Sequence, residues 1–125
     1  MNNTVIKLTV SEIPPSNNKY MGKGTKYIQS IQYQEEKQKW AWLIRQALGR
    51  TDIKRPRENA VVRIKYYFKD RRRRDPDNYS GKFLLDGLVD AGVLADDSFN
   101  NIELILRGGY DKENPRTEIE IEEVG

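Results

Sequence analysis

The chain of 125 residues contains no cysteine and no histidine. Disulfide scaffolds, zinc sites built on Cys and His, thiol or imidazole nucleophiles and a histidine base are all excluded at once. Carboxylates remain as its only anionic metal ligands. Also absent is any apolar run of about 18 residues, the length a membrane-spanning helix needs. The opening MNNTVIKLTV has neither the basic start nor the apolar core of a secretory leader. The expectation is a soluble, cytoplasmic protein with no membrane role. Hydrophobic residues make up 37% of the chain against 33% charged, so much of the surface must be ionic. The length allows one core and no second, and residues 1–125 are read as a single domain. Two tryptophans, seven tyrosines and three phenylalanines, most of them in periodic segments, argue against disorder.

What is abundant is charge, and it is unevenly placed. The formal net charge is +3, but from Asp111 onward two basic residues stand against six acidic ones. That leaves 20 basic and 13 acidic residues, a net +7, on residues 1–110. The asymmetry fits a nucleic-acid face opposite a solvated acidic edge; solubility alone is the plainer explanation.

Residues 4–10 alternate, with Ile6, Leu8 and Val10 on one face, and predict an opening strand. Pro14, Pro15 and the asparagines after them stop it. A loop with Gly22, Gly24, Lys19, Lys23 and Lys26 follows, able either to close over a phosphate backbone or simply to be solvated. Residues 29–48 lack glycine and proline and repeat Trp40, Leu43, Ile44, Ala47 and Leu48 at helical spacing, with Gly49 as the stop. Trp40 and Trp42 are expected in core and interface packing rather than as base-stacking platforms. Residues 60–69 form the clearest strand, Ala60, Val62, Ile64, Tyr66 and Phe68 on one face and a largely basic face opposite. Residues 78–91 return to helical spacing, residues 99–107 alternate again, Gly108-Gly109 and Asn114-Pro115 predict a turn region, and residues 117–121 make a last strand. The order β-α-β-α-β-β predicts an α/β (α+β) fold, a mixed sheet packed by two helices, with the last two strands as an antiparallel hairpin.

Between Lys69 and Asp97 runs KDRRRRDPDNYSGKFLLDGLVDAGVLADD. Arginine forks match phosphate oxygens, so Arg71, Arg72, Arg73 and Arg74, with Lys69, Lys23 and Lys26, are the candidate DNA contacts. Clustered carboxylates repel phosphate unless a cation lies between. Asp75 and Asp77 flank Pro76, which biases Asp75 to an extended backbone, where residues two apart point the same way. Both could then reach one metal ion. If the chain folds back through the sheet, Asp96 and Asp97 return to them, and three or four carboxylates converge as a ligand set for Mg²⁺ or Mn²⁺. The plainer alternative is that Asp-Pro-Asp-Asn is a turn and cap and Asp96-Asp97 an ordinary loop.

The same stretch resembles the signature of RusA-type crossover junction endodeoxyribonucleases, and PPSNNKY resembles that family's early Pro-Pro-Ser-Asn element. The resemblance implies a homodimer that binds four-way Holliday junctions and resolves them by paired, symmetric, Mg²⁺-dependent nicks, in a bacterial or phage-infected host cell. By the same resemblance Asp75, Asp77 and Asp97 match the catalytic carboxylates, Lys82 the essential lysine and Arg74 a basic residue on DNA. Tyr79, Ser80 and Gly81 stand between Asn78 and Lys82, one residue more than the family pattern. The extra residue, with Gly81 the candidate, is expected to widen the first helical turn. A two-fold junction needs two active sites, hence a dimer, through either the terminal hairpin or the Trp-bearing helix. Two alternatives stand beside this reading, a non-catalytic basic DNA-binding module and a nuclease for other branched DNA.

Overall fold

The computed structural model describes residues 5–17 and 26–124. Its elements are β1 (Val5–Val10), α1 (Lys26–Leu48), β2 (Ala60–Phe68), a 3₁₀ turn (Pro76–Asn78), α2 (Lys82–Asp90), β3 (Ile102–Tyr110) and β4 (Arg116–Glu123). The strands form one mixed sheet in the order β1-β4-β2-β3. The expected class and element order hold, and no helix among the described residues is long and apolar enough to cross a membrane.

Alternation decides which face of the sheet is covered. Ile6 and Leu8 oppose Ile121 and Ile119, which oppose Val62 and Ile64 on the other side. This apolar layer meets Trp40, Ile44 and Leu48 of α1 and Phe83, Leu84 and Leu88 of α2 in one core. Trp40 is fully buried, and its indole N–H donates to Glu36 at 3.0 Å, so the polar edge of the ring is satisfied; removing the ring would cost roughly 3–5 kcal/mol. Trp42, two residues on and so about 200° round the helix, is exposed. The two helices approach closely at Gly87, where a Cβ would lie 3.1 Å from the Ile44 side chain.

Three expectations change. Strands β3 and β4 are not a hairpin: β3 runs parallel to β2, while β4 runs antiparallel to both β1 and β2, between them. The reason is α2, which carries the chain back to the starting end of β2, so that β3 must leave in the same direction and β4 returns on the far side of β2. Gly108-Gly109 is not a turn but part of β3; at Gly109 the strand runs under Lys65 and Tyr67 side chains that would lie 3.1 Å from a Cβ. The glutamate-rich end is a central strand and not a solvated edge. Its outward carboxylates have cationic neighbours: Arg116 to Glu118 at 2.7 Å, and Arg63 to Glu120 and Glu122 at 3.1 and 2.9 Å. At the top of β4, buried Thr117 donates its hydroxyl to the Glu12 carbonyl at 2.7 Å, fixing the exit of β1.

Candidate active site

The chain leaves β2 at Phe68 and enters the arginine tract through Lys69, which is exposed, and Asp70. Asp70 folds this exit back on itself. Its carboxylate accepts from the Arg72 N–H at 3.1 Å and lies 3.3 Å from the Arg72 guanidinium and 2.8 Å from that of Arg74. Arg74, foremost, and the Arg72 N–H hold the Asp70 carboxyl below its usual range. Arg74 also donates to the carbonyls of Asp70 and Arg72, and its guanidinium lies 4.3 Å from the centre of the Phe68 ring. Arg71 covers Tyr110 at 4.5 Å. The four arginines therefore divide. Arg74 is a partly enclosed strut, whereas the side chains of Arg72 and Arg73 are 78% and 89% exposed.

Asp75 is extended, at φ −104° and ψ 141°, as the residue before a proline should be. Pro76 then starts a 3₁₀ turn, its fixed φ suiting that first position. The expected extended pair is thus corrected: Asp75 and Asp77 are related by a tight turn, with Asn78 N–H donating to the Asp75 carbonyl at 3.0 Å. Arg73 Nε lies 3.2 Å from Asp75 Oδ1, and Asp77 is exposed. The turn is anchored from a distant part of the chain. Asn17 donates its side-chain amide to the Asp77 carbonyl at 2.9 Å and to the Ser80 hydroxyl at 3.2 Å. Asn17 of the Pro-Pro-Ser-Asn element therefore docks on the acidic turn.

Gly81 is buried at φ +84°, and a Cβ there would lie 2.8 Å from Ile64 Cδ1. Only glycine fits this left-handed, closely packed position. The Leu85 N–H bonds to the Gly81 carbonyl at 2.8 Å, so the first turn of α2 closes as an ordinary α-turn instead of a widened one. Gly81 acts as a clamp pressing the turn onto the sheet. Lys82 follows at once, with its Nζ 5.7 Å from the centre of the Tyr33 ring. The Tyr33 hydroxyl, then the charges of Asp86 and Asp97, raise the Lys82 pKa above its ordinary value.

Asp96 and Asp97 precede β3 and are exposed, the Asp97 N–H donating to Asp96 Oδ1 at 2.9 Å. Because β3 starts beside Ala60, this pair belongs to the starting end of the β2–β3 pair, while Asp75 follows the finishing end. Asp97 borders a cavity with Leu85, Phe99 and Leu104; Asp75 borders another with Phe68, Tyr79 and Gly108. The structure brings Asp97 into the field of Lys82. Among the described residues, no three Asp or Glu side chains are gathered at metal-holding spacing. Lys26 is the exposed first residue of α1 and not a loop lysine; Lys23 lies outside the described residues.

Sequence reasoning did not single out Tyr33, which nothing in the local pattern of α1 connects to Lys82. Asn17 was visible only as part of the Pro-Pro-Ser-Asn element, without its partner. Nor does the local pattern point to the hydroxyl of Tyr66, buried beside the Asp75 cavity with no hydrogen-bond partner among the described residues; burial pushes its pKa well up.

No curated protein matches the chain. The family model described as Endodeoxyribonuclease RusA matches residues 12–122, a span that begins before Asn17 and takes in both helices, the arginine tract, the acidic turn and Asp97. The match covers nearly the whole chain, and the chain belongs to the endodeoxyribonuclease RusA family.

Proposed function

We propose that the protein is a metal-dependent, structure-specific endonuclease that resolves four-way DNA junctions by paired symmetric nicks, acting as a homodimer. The observation that carries this reading is the exit of β2, where the projecting guanidinium groups of Arg72 and Arg73 stand directly before an acidic turn fixed by Gly81 and Asn17. Mobile arginines take hold of phosphate; a rigid carboxylate turn has a defined place to put a cation.

The donor set fits a hard divalent ion. Every candidate ligand is an oxygen, and Mg²⁺ is commonly held by one or two carboxylates with water and substrate phosphate completing its shell. Asp75 and Asp77 would supply those carboxylates to Mg²⁺ or Mn²⁺, with Asp97 and Asp96 the further candidates across Lys82. When bound, such an ion acidifies a water and stabilises negative charge at phosphorus and on the leaving oxygen. The chain's own groups do the rest. Arg72 and Arg73 hold the strand. Arg74 stiffens the loop that carries them. Lys82 offers an ammonium to developing negative charge and not a free base. Two such sites related by a two-fold axis are what paired nicks in a two-fold junction require.

The test is a four-way junction and a linear duplex of the same sequence, each incubated with and without Mg²⁺ and resolved on a denaturing gel. Symmetric, metal-dependent nicks confined to the junction are expected. Asp77→Asn should lower the rate about 100-fold or more, since even an outer-shell partner of a metal ligand is worth about 10- to 100-fold, yet keep or tighten junction binding because an anion near phosphate is gone. An Asp77→Asn protein that cleaves at the normal rate refutes the assignment. A junction bound but left intact under both Mg²⁺ and Mn²⁺ identifies a binding module, and equal cutting of flaps or forks identifies a broader branched-DNA nuclease.

A further inference from the structure

We infer that the pocket around Arg57, at the starting end of β2, is a binding site for a phosphate group, distinct from the arginine tract. Arg57 is only 7% exposed, and its Nε is buried with no hydrogen-bond partner. Among the described residues it forms no ion pair. A buried charge is ordinarily paired or bound to a ligand, because leaving water uncompensated is costly. Among the described residues nothing uses this one. The backbone of Arg57 is held independently of its side chain, its N–H donating to the Val93 carbonyl and its carbonyl accepting from Ala95, both at 2.9 Å. The segment is thus locked as a short parallel bridge to Leu94, and the guanidinium is positioned without having its charge met.

The side chain lines a cavity of about 300 Å³ together with Asp52, Ile53, Lys54, Arg55 and Glu123. Three of these six residues are cationic. Glu123 is engaged by Arg55 at 3.4 Å, and Asp52 is exposed at the rim. What remains facing the cavity is a buried fork with exposed Lys54 beside it, an arrangement matched to a tetrahedral oxyanion. The source that fits an endodeoxyribonuclease family member is the DNA backbone. Residues 60–68 of β2 separate this pocket from the arginine tract by about 26 Å at strand rise, roughly eight base pairs of duplex. One arm could meet both. Inorganic phosphate carries the same chemistry and is the alternative source.

Thermal unfolding in inorganic phosphate against chloride at equal ionic strength reads the site without DNA. Wild type should be stabilised by phosphate, Arg57→Met should lose that shift, and a protein with Arg72→Gln and Arg73→Gln should keep it. Junction binding without metal reads the source: for Arg57→Met, affinity should fall severalfold on all sequences, and the slope of log affinity against log salt should shrink by about one. Should Arg57→Met fail to fold, Lys54→Glu, at an exposed position, must reduce both effects. A phosphate shift lost in Arg57→Met with an unchanged DNA salt slope assigns the site to free phosphate and overturns the DNA contact. An identical phosphate response in wild type, Arg57→Met and Lys54→Glu overturns the site. Neither outcome depends on whether the protein cleaves.

Discussion

The outward face of β4 and the exit segment 69–77 carry comparable densities of charge and use it in opposite ways. On β4 the glutamates alternate along a strand with basic neighbours on both sides, and each outward carboxylate is met: Glu118 by Arg116, Glu120 by Arg63 and Lys7, Glu122 by Arg63. In the exit segment two carboxylates, those of Asp70 and Asp75, serve three of the four arginines, and most of that service goes to shaping the loop. A regular ladder places opposite charges at fixed cross-strand spacing and so neutralises itself. A loop leaves its longest side chains in solvent, where their charge is available to a ligand. The acidic stretch that looks in sequence like the counterpole of a DNA face is therefore internally balanced, and the unbalanced charge is concentrated in nine residues.

The contrast can be broken from either side. The largest effect is expected from Gly81→Ala, which adds a Cβ 2.8 Å from Ile64 at a left-handed backbone position. Strain and overpacking together should cost about 3 kcal/mol, read by denaturant unfolding, and nuclease activity should fall with it because the acidic turn loses its clamp. Next comes the double change Arg72→Gln and Arg73→Gln. It should leave unfolding almost unaltered while lowering DNA affinity about tenfold and reducing the salt slope by about two, measured by titration at several salt concentrations. Arg63→Gln is the converse: a measurable loss of thermal stability, since Glu120 and Glu122 lose their shared cation, with DNA affinity unchanged. If Arg63→Gln weakened DNA binding as much as the double change, the division of labour would be wrong.

The smallest effect sharpens the comparison through pH. Arg74 and the Arg72 N–H hold the Asp70 carboxyl below its usual value, and Arg116 with the Asn114 N–H does the same for Asp111 at the β3–β4 turn. A carboxyl whose folded pKa is depressed adds stability that is present above the unfolded value, 3.8, and is lost as pH falls through the folded one. Asp70→Asn and Asp111→Asn should each flatten the acid limb of the stability profile. Asp70→Asn alone should also weaken DNA binding, because it frees the loop that aims the arginines.

Most of the core was legible because it rests on period: the alternation of Ile6, Leu8 and Val10, and of Ala60 to Tyr66, survives intact as buried faces. Helix α1 was equally plain from Trp40, Ile44 and Leu48. Errors fell where one local pattern serves two structures. Gly-Gly reads as a turn, yet β3 runs through it because Lys65 and Tyr67 of the neighbouring strand fill the space its side chains would take. Asp-Pro-Asp reads as an extended pair, yet Pro76 begins a 3₁₀ turn that Asn17 holds from sixty residues away.

By itself the sequence determined the elements, their inward faces, the crowding of arginine against aspartate, and the chemistry excluded by having neither cysteine nor histidine, since composition and periodicity are local properties. Tertiary structure alone decided that β4 lies between β1 and β2, that Asp97 meets the field of Lys82 while Asp75 follows the other end of the strand pair, that Tyr33 of α1 lies against Lys82, and that Arg57 is buried without a counter-charge among the described residues. Each of these depends on which distant residues the crossover through α2 sets side by side, and no local pattern in the chain encodes a distance between two of its parts.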